Sequence, residues 1–192
     1  MKEYSLKNKD IIPLRLLLSK FKEKDIENLL KTFHNPLNQD VEDFLHNKSI
    51  DFEKRGISRT FIFLDNNKPK VLAFFSLALE VLHLQDIKSK NKRKRLAKGF
   101  DNKEYIPVFL IAQLGKSHDV KKGEGKIILE TSIIFVKRAS DYVGGKYVFL
   151  DIIKKDDDSH QKLLEFYLNY GFTELMEIKT EEETLIRLVL KF

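Results

Sequence analysis

A chain of 192 residues with 42% hydrophobic residues, 15 Phe and no Cys is long enough to bury a core of its own and is expected to form one domain over residues 1–192. The missing cysteines exclude disulfides, thiolate metal sites and thiol nucleophiles. Residues 1–7 carry no apolar core of a leader, and no apolar run approaches the roughly 20 residues of a spanning helix, so a soluble cytoplasmic protein is expected. The net charge of +6, with a pI near 9.2, favours anionic partners such as CoA, nucleic acid or anionic lipid.

Ile11 to Leu18 reads as a strand, with Pro13 arguing for a sheet edge because proline has no N–H to give a neighbour. Ile26, Leu29, Leu30 and Phe33 recur at helical spacing and predict a helix over 23–33. Asn38 is placed to cap a second helix with Val41, Phe44, Leu45 and Ile50 on its apolar face, ended by Gly56. Thr60-Phe61-Ile62-Phe63 marks a strand over 59–64. Asp65 to Lys68 is a turn and 70–84 a long apolar strand, which together make a hairpin. Residues 86–104 read as a basic insertion or a short exposed helix. Within it, Lys88 to Lys98 holds seven basic residues and no acid.

Ile106 to Leu114 is continuously apolar, as in a strand covered on both faces. Lys126 to Arg138 reads as a helix with Ile127, Ile128, Thr131, Ile134 and Phe135 inward. Tyr147 to Ile153 is another buried strand. Ser159 is expected to cap a helix over 160–169, with Gly171 in the C-terminal cap position. Segments 174–178 and 185–192 close the chain as an antiparallel pair. Hairpins followed by a βαβ unit predict a mixed sheet, with a right-handed crossover between 106 and 153.

Two stretches carry the chemistry. The first is the strand ending Leu114-Gly115-Lys116, followed by Lys121-Lys122-Gly123-Glu124-Gly125-Lys126 and a helix. Glycines let backbone approach a ligand closely, and a helix start offers unpaired N–H groups and a positive dipole end. That order makes a phosphate cradle, to which Lys121, Lys122 and Lys126 add charge; a bland turn before a helix is the alternative. The second stretch is Glu165-Phe166-Tyr167-Leu168-Asn169-Tyr170-Gly171-Phe172, a helix ending in a tyrosine face and a glycine cap. Tyr167 packed on the sheet, with its hydroxyl bonded to backbone, is the bland reading. Glu80 is the obvious carboxylate in the run 74–84, and a solvent-facing strand residue is the preferred reading of it. His83 reads as a satisfied sheet histidine. His34, His46, His118 and His160 lie on surface-like stretches without metal-ligand spacing, so no metal is expected.

Together the two stretches resemble the core of the GNAT (Gcn5-related) N-acetyltransferases. The resemblance implies an α/β (α+β) fold: a mixed, mostly antiparallel sheet with a central splayed parallel strand pair and helices on both faces. It also implies an acyltransferase that moves acetyl from acetyl-CoA to a primary amine by direct attack. Laid on the family's pyrophosphate loop, Lys122 takes the Gln/Arg place, Gly123 the glycine that often follows it, Gly125 the first motif glycine and Ile127 the final small-residue place. Lysine is not a bidentate anion binder, Ile127 is bulkier than the pattern, and the loop is about one residue longer than the usual one. The cofactor-binding set so implied is Leu114, Gly115, Lys116, Lys121, Lys122, Gly123, Glu124, Gly125, Lys126 and Ile127. Leu114-Gly115-Lys116 stands where the family's strand splays at a bulge, pairs with the pantetheine arm and aims an N–H at the thioester oxygen. Tyr167, in the family's Phe-Tyr-x-x-x-Gly-Phe pattern, is implied to be the general acid that protonates the leaving CoA thiolate.

A looser likeness over about residues 30–175 extends to one GNAT branch. It rests on Phe33-His34 with Leu37, Asp43-Phe44-Leu45, Ser58-Arg59-Thr60-Phe61-Ile62, Ala73-Phe74-Phe75-Ser76-Leu77 and Ile106-Pro107-Val108. That branch includes bacterial toxins that acetylate aminoacyl-tRNA and are usually dimers paired with a small DNA-binding antitoxin. It implies an aminoacyl-tRNA acceptor, a homodimer and an antitoxin partner. The chain lacks the branch's cysteine near residue 35 and adds the basic segment 86–104. An N-acetyltransferase for a small amine, a peptide or a protein uses the same core. A degenerate loop would leave a non-catalytic CoA-binding module or a basic nucleic-acid-binding protein.

Overall fold

The computed structural model of the protein describes residues 3–100 and 104–192. Met1 and Lys2, from the segment read for a leader, and 101–103, from the predicted basic insertion, lie outside the described residues. In chain order the elements are β1 (Asp10–Pro13), α1 (Leu14–Lys20), α2 (Glu23–Leu30), α3 (Gln39–Asp43), a π turn (Phe44–Lys48), α4 (Ser49–Arg55), β2 (Arg59–Leu64) and β3 (Val71–His83). Then come a 3-10 turn (Leu84–Asp86), α5 (Lys90–Ala97), β4 (Tyr105–Lys116), α6 (Gly125–Val143), β5 (Tyr147–Ile153), α7 (Asp158–Tyr170), β6 (Thr173–Lys179) and β7 (Thr184–Lys191).

The strands form one seven-stranded sheet in the order β1-β2-β3-β4-β5-β7-β6. The pairs β1–β2, β2–β3, β5–β7 and β7–β6 are antiparallel, and β4–β5 is parallel, with Phe109 opposite Val148 and Leu110 opposite Phe149. The mixed, mostly antiparallel sheet is therefore the one expected. Pro13 does lie on an edge strand, paired only with β2. The predicted strand over 11–18 stops there, however, and Leu14 opens a helix. Pro13, at φ −62° and ψ 132°, is the cap residue, and Leu14 and Leu17 bury at an i, i+3 spacing that a strand cannot place on one face.

By their contacts the residues divide into two compact units, Met1–Ala78 with Ile111–Val136, and Leu79–Leu110 with Lys137–Phe192. In the first unit, consecutive strand residues Ile62 and Phe63 bury into different clusters. Ile62 joins Val71 and Phe74 with Leu14, Ile26, Leu30, Phe44 and Leu45 of the first helices. Phe63 joins Leu72, Phe75 and Ile128 of α6. Both faces of this part of the sheet are thus covered, which explains the uninterrupted apolar run at 71–75. Asn38 caps α3 as predicted, its Oδ1 accepting from the Val41 N–H at 3.3 Å. The α6 face differs from the predicted one: Ile128, Leu129, Ser132, Ile133 and Val136 are buried, while Ile134 is 49% exposed. Ile127 and Phe135, from the predicted face, form the partly buried margin of that stripe.

In the second unit Leu96 of α5, Ile106, Val108, Tyr147, Phe149, Leu175 and Val189 share a core. Asp157, not Ser159, caps α7, accepting the His160 N–H at 2.7 Å, and Ser159 donates to the same carboxylate at 3.0 Å. Gly171 ends the helix at φ +107°, a left-handed turn that only glycine enters without strain. Among the described residues no helix is long and apolar enough to cross a membrane.

Candidate active site

The glycine loop belongs to the first unit and is built as a strand–turn–helix. β4 runs through Lys116, the chain turns at residues 118–119 and again at 122–124, and α6 begins at Gly125. Gly123 has φ +86°, a conformation that makes a turn here glycine's own. A Cβ placed on Gly123 or Gly125 would meet nothing within 4 Å, so both present bare backbone to open space. Among the described residues the N–H groups of Gly123, Gly125 and Lys126 have no acceptor; the turn's own bonds are Glu124 N–H to Lys121 O and Ile127 N–H to Glu124 O. Lys121, Lys122 and Lys126 are exposed around them, with Lys126 3.6 Å from Glu130 one turn on. Free amides at the start of a 19-residue helix, with exposed lysines beside them in the chain, can take up phosphate.

Several residues of the expected cofactor set have side chains committed elsewhere. Glu124 turns away from the helix start: its carboxylate accepts Ser5 Oγ at 2.7 Å and the Leu6 N–H at 2.5 Å. Lys116 Nζ donates to the Val120 carbonyl at 2.8 Å and braces the turn. Leu114 and Ile127 pack into the cluster of Phe63, Phe75 and Ile128, so the bulk of Ile127 is spent in the core and does not obstruct the amides. Gly115 is buried inside β4 without positive φ. A Cβ there would come within 2.4 Å of Val41 Cγ1 and 3.4 Å of Phe33 Cζ, so close packing accounts for that glycine.

The sequence reading missed what holds the loop. Tyr4 forms a parallel bridge with Val120: its N–H donates to Asp119 O at 2.8 Å, and its carbonyl accepts from Lys121 N–H at 2.9 Å. Lys70 pairs with Asp119 and lies 4.8 Å from the centroid of the Tyr4 ring. Burial is the largest influence on the Asp119 carboxyl and would raise it, but Lys70, Ser117 and His118 together outweigh it and hold the group below its ordinary value. Three histidines read as separate surface residues come together nearby. The His34 ring lies 6.5 Å from His46 and 6.4 Å from His118, with Nδ1 3.6 Å from Glu42. The His34 carbonyl accepts from the His118 N–H at 2.8 Å and Ser117 Oγ at 3.2 Å, tying the stretch before α3 to the end of β4. No group of His, Asp and Glu among the described residues is arranged to hold a metal.

Tyr167 belongs to the second unit. It is 7% exposed, on the buried side of α7, with Phe166 and Phe172 edge-on at 5.1 and 5.8 Å. Its hydroxyl has no hydrogen-bond partner among the described residues, unlike Tyr147, whose hydroxyl donates to the Leu96 carbonyl at 3.2 Å. Burial pushes the Tyr167 phenol up to about 12, so it stays protonated throughout the neutral range. In the same unit Arg187 of β7 is 9% exposed and joins two carboxylates. It donates through Nε and Nη2 to Asp151 at 2.8 and 2.7 Å, and through Nη1 to Glu80 at 2.9 Å. Glu80 is thus ion-paired rather than simply solvent-facing. His83 is exposed, with its ring 6.2 Å from Tyr105.

No protein-family model matches the chain, and no curated protein does either. Solved structures do. AtaT complexed with acetyl-methionyl-tRNAfMet is similar over 82% of this chain and 85% of its own, at 21% identity and a TM-score of 0.61. AtaTR bound with AcCoA is similar over 95% and 94%, at 20% identity and TM-score 0.65. A tyrosine-to-phenylalanine mutant of KacT is similar over 84% and 86%, at 18% identity and TM-score 0.63. These likenesses show that the chain has the GNAT-like fold of those proteins.

Proposed function

We propose that the protein is an acetyl-CoA-dependent N-acetyltransferase whose acceptor is the amino group of an aminoacyl-tRNA. The observation that carries the cofactor is the glycine turn, where three partnerless amides open α6 beside exposed Lys121, Lys122 and Lys126. These groups suit a pyrophosphate. Structures of the same fold solved with acetyl-CoA and with acetylated methionyl-tRNA support the donor and the acceptor, and the AtaT–AtaR complexes support an antitoxin partner.

In this reading the edge of Leu114-Gly115-Lys116 pairs with the pantetheine arm, and the neutral acceptor amine attacks the thioester carbonyl. The C–N bond forms, the C–S bond breaks and the amine's proton passes to water. Tyr167 gives its proton to the departing thiolate and regains one from solvent. A phenol near 12 is a weaker acid than a thiol of about 8.5 in water. The transfer therefore needs the thiolate to be desolvated as well, which raises its basicity. A hydroxyl without a protein partner is available for that step, whereas a packing tyrosine is expected to have its hydroxyl satisfied.

The test is single-turnover transfer from radiolabelled acetyl-CoA to aminoacyl-tRNA. Tyr167→Phe should slow transfer by about 10²–10⁴-fold and leave acetyl-CoA affinity close to that of the parent. Equal rates would reduce Tyr167 to a packing residue, and no transfer by the parent protein would refute the activity.

A further inference from the structure

We infer that α5 is a phosphate-binding surface for the RNA backbone of the acceptor, an inference that rests on the aminoacyl-tRNA reading for the identity of the RNA. Charge is the first observation. Lys88 to Lys98 contains seven of the chain's 35 basic residues and no acid; without them the net charge falls from +6 to −1. The protein's positive excess is therefore the charge of this one segment.

The second observation is that α5 is a poor helix by its own chemistry. Its first turn has no acidic residue and opens with Lys90, Lys92 and Arg93, which oppose the positive dipole end. Lys90 and Lys94 repel at i, i+4. A helix meant only for solubility would mix signs on its face.

The third observation is that this unfavourable helix is fastened from outside. Ser89 caps it, accepting the Lys92 N–H at 3.4 Å. Lys92 Nζ donates to the carbonyls of Glu174 and Leu175, both at 2.9 Å, where the β6 register shifts. Tyr147 bonds the Leu96 carbonyl, and Lys146 bonds the Lys98 carbonyl at 3.0 Å. Leu96 is 2% exposed in the core.

What this fixed helix turns outward is Lys90, Lys94, Arg95 and Lys98, all exposed. Among the described residues none of the four has a side-chain hydrogen bond or a carboxylate partner. Some surface lysines elsewhere are paired, as at Lys24–Glu27, Lys54–Glu23 and Lys154–Glu177, but those four unpaired cations are gathered on one helix and its cap. An ordered row of unneutralised cations fits a polyphosphate backbone. A lipid surface would also need an apolar face to insert, and the apolar residues of α5 are turned into the core.

The decisive variant carries Lys90→Gln, Lys94→Gln, Arg95→Gln and Lys98→Gln. Filter binding of charged tRNA over a salt series should show weaker affinity and a log–log salt slope shallower by about 3. Acetyl transfer to an aminoacylated nucleoside, which lacks the RNA backbone, should proceed as in the parent, while KM for aminoacyl-tRNA rises. An unchanged tRNA slope would overturn the proposal. So would an unchanged slope combined with lost binding to phosphatidylserine vesicles, which would make α5 a membrane surface. If the parent acetylates neither acceptor, the activity reading fails, and the tRNA salt slope still decides α5 by itself.

Discussion

Gly115 and Gly125 lie ten positions apart and are glycines for opposite reasons. The Cα of Gly115 faces Val41 so closely that one added methyl would overlap it at 2.4 Å. Gly115→Ala should therefore lower stability by about 1–3 kcal/mol through overpacking, read as a lower midpoint in urea. Gly125 faces open space, and Gly125→Val should fold with a melting temperature near that of the parent. The new side chain would stand over the helix-start amides, so acetyl-CoA affinity should drop in isothermal titration. A folded Gly125→Val protein with parental affinity would remove the pyrophosphate from this turn.

Tyr167 makes a separate prediction. The unfolded phenol ionises near 10 and the folded one near 12. Between those values the unfolded chain releases a proton that the folded chain keeps, so stability is complete below pH 10 and falls as pH rises through 12. The loss should be about 2–3 kcal/mol, and Tyr167→Phe should lessen it. In a spectrophotometric titration of the six tyrosines, that variant should lose a late-ionising one.

At the scale of elements, β3, β5 and β7 are linked by side chains as well as by backbone. Arg187 bridges Asp151 directly across the β5–β7 ladder and Glu80 on β3, at sequence separations of 36 and 107. Its guanidinium also lies 5.5 Å from the centroid of the Phe149 ring. Replacing it by methionine keeps the apolar stem but strands two carboxylates. Breaking a buried pair from one side costs about 3–5 kcal/mol. The Glu80 and Asp151 side chains remain 31% and 21% exposed, so water recovers part of that, and about 3 kcal/mol is expected. Denaturant unfolding of Arg187→Met measures it. Adding Glu80→Gln and Asp151→Asn to that variant should restore part of the loss, because the stranded charges are then gone. The loop is likewise an assembly of elements: Glu124, a motif residue, contributes its carboxylate to residues 5–6, and residues 4 and 119–121 pair as short strands do.

Over the whole molecule, local pattern was enough for most elements. β2 and β5 have the predicted bounds, because β-branched and aromatic runs closed by turns are local signals. The glycine turn was legible for the same reason: glycines, lysines and a helix start are neighbours in the chain. Local pattern failed at Leu14, where an apolar run served strand and helix equally until Leu17 found a helical core. It also failed in part on α6, whose buried stripe is set by which residues meet Phe63 and Phe75. The sequence by itself determined the mixed α/β class, the glycine turn, the Phe-Tyr-x-x-x-Gly-Phe helix end and the basic charge of residues 88–98. Only the tertiary structure decided that Glu80 is held by Arg187, that His34, His46 and His118 meet, that Glu124 holds residues 5–6 and that Lys92 fastens α5 while Lys90, Lys94 and Arg95 stay exposed. The physical reason is that each of these is a pairing between groups distant along the chain, and which charge meets which depends on chain folding that no local periodicity records.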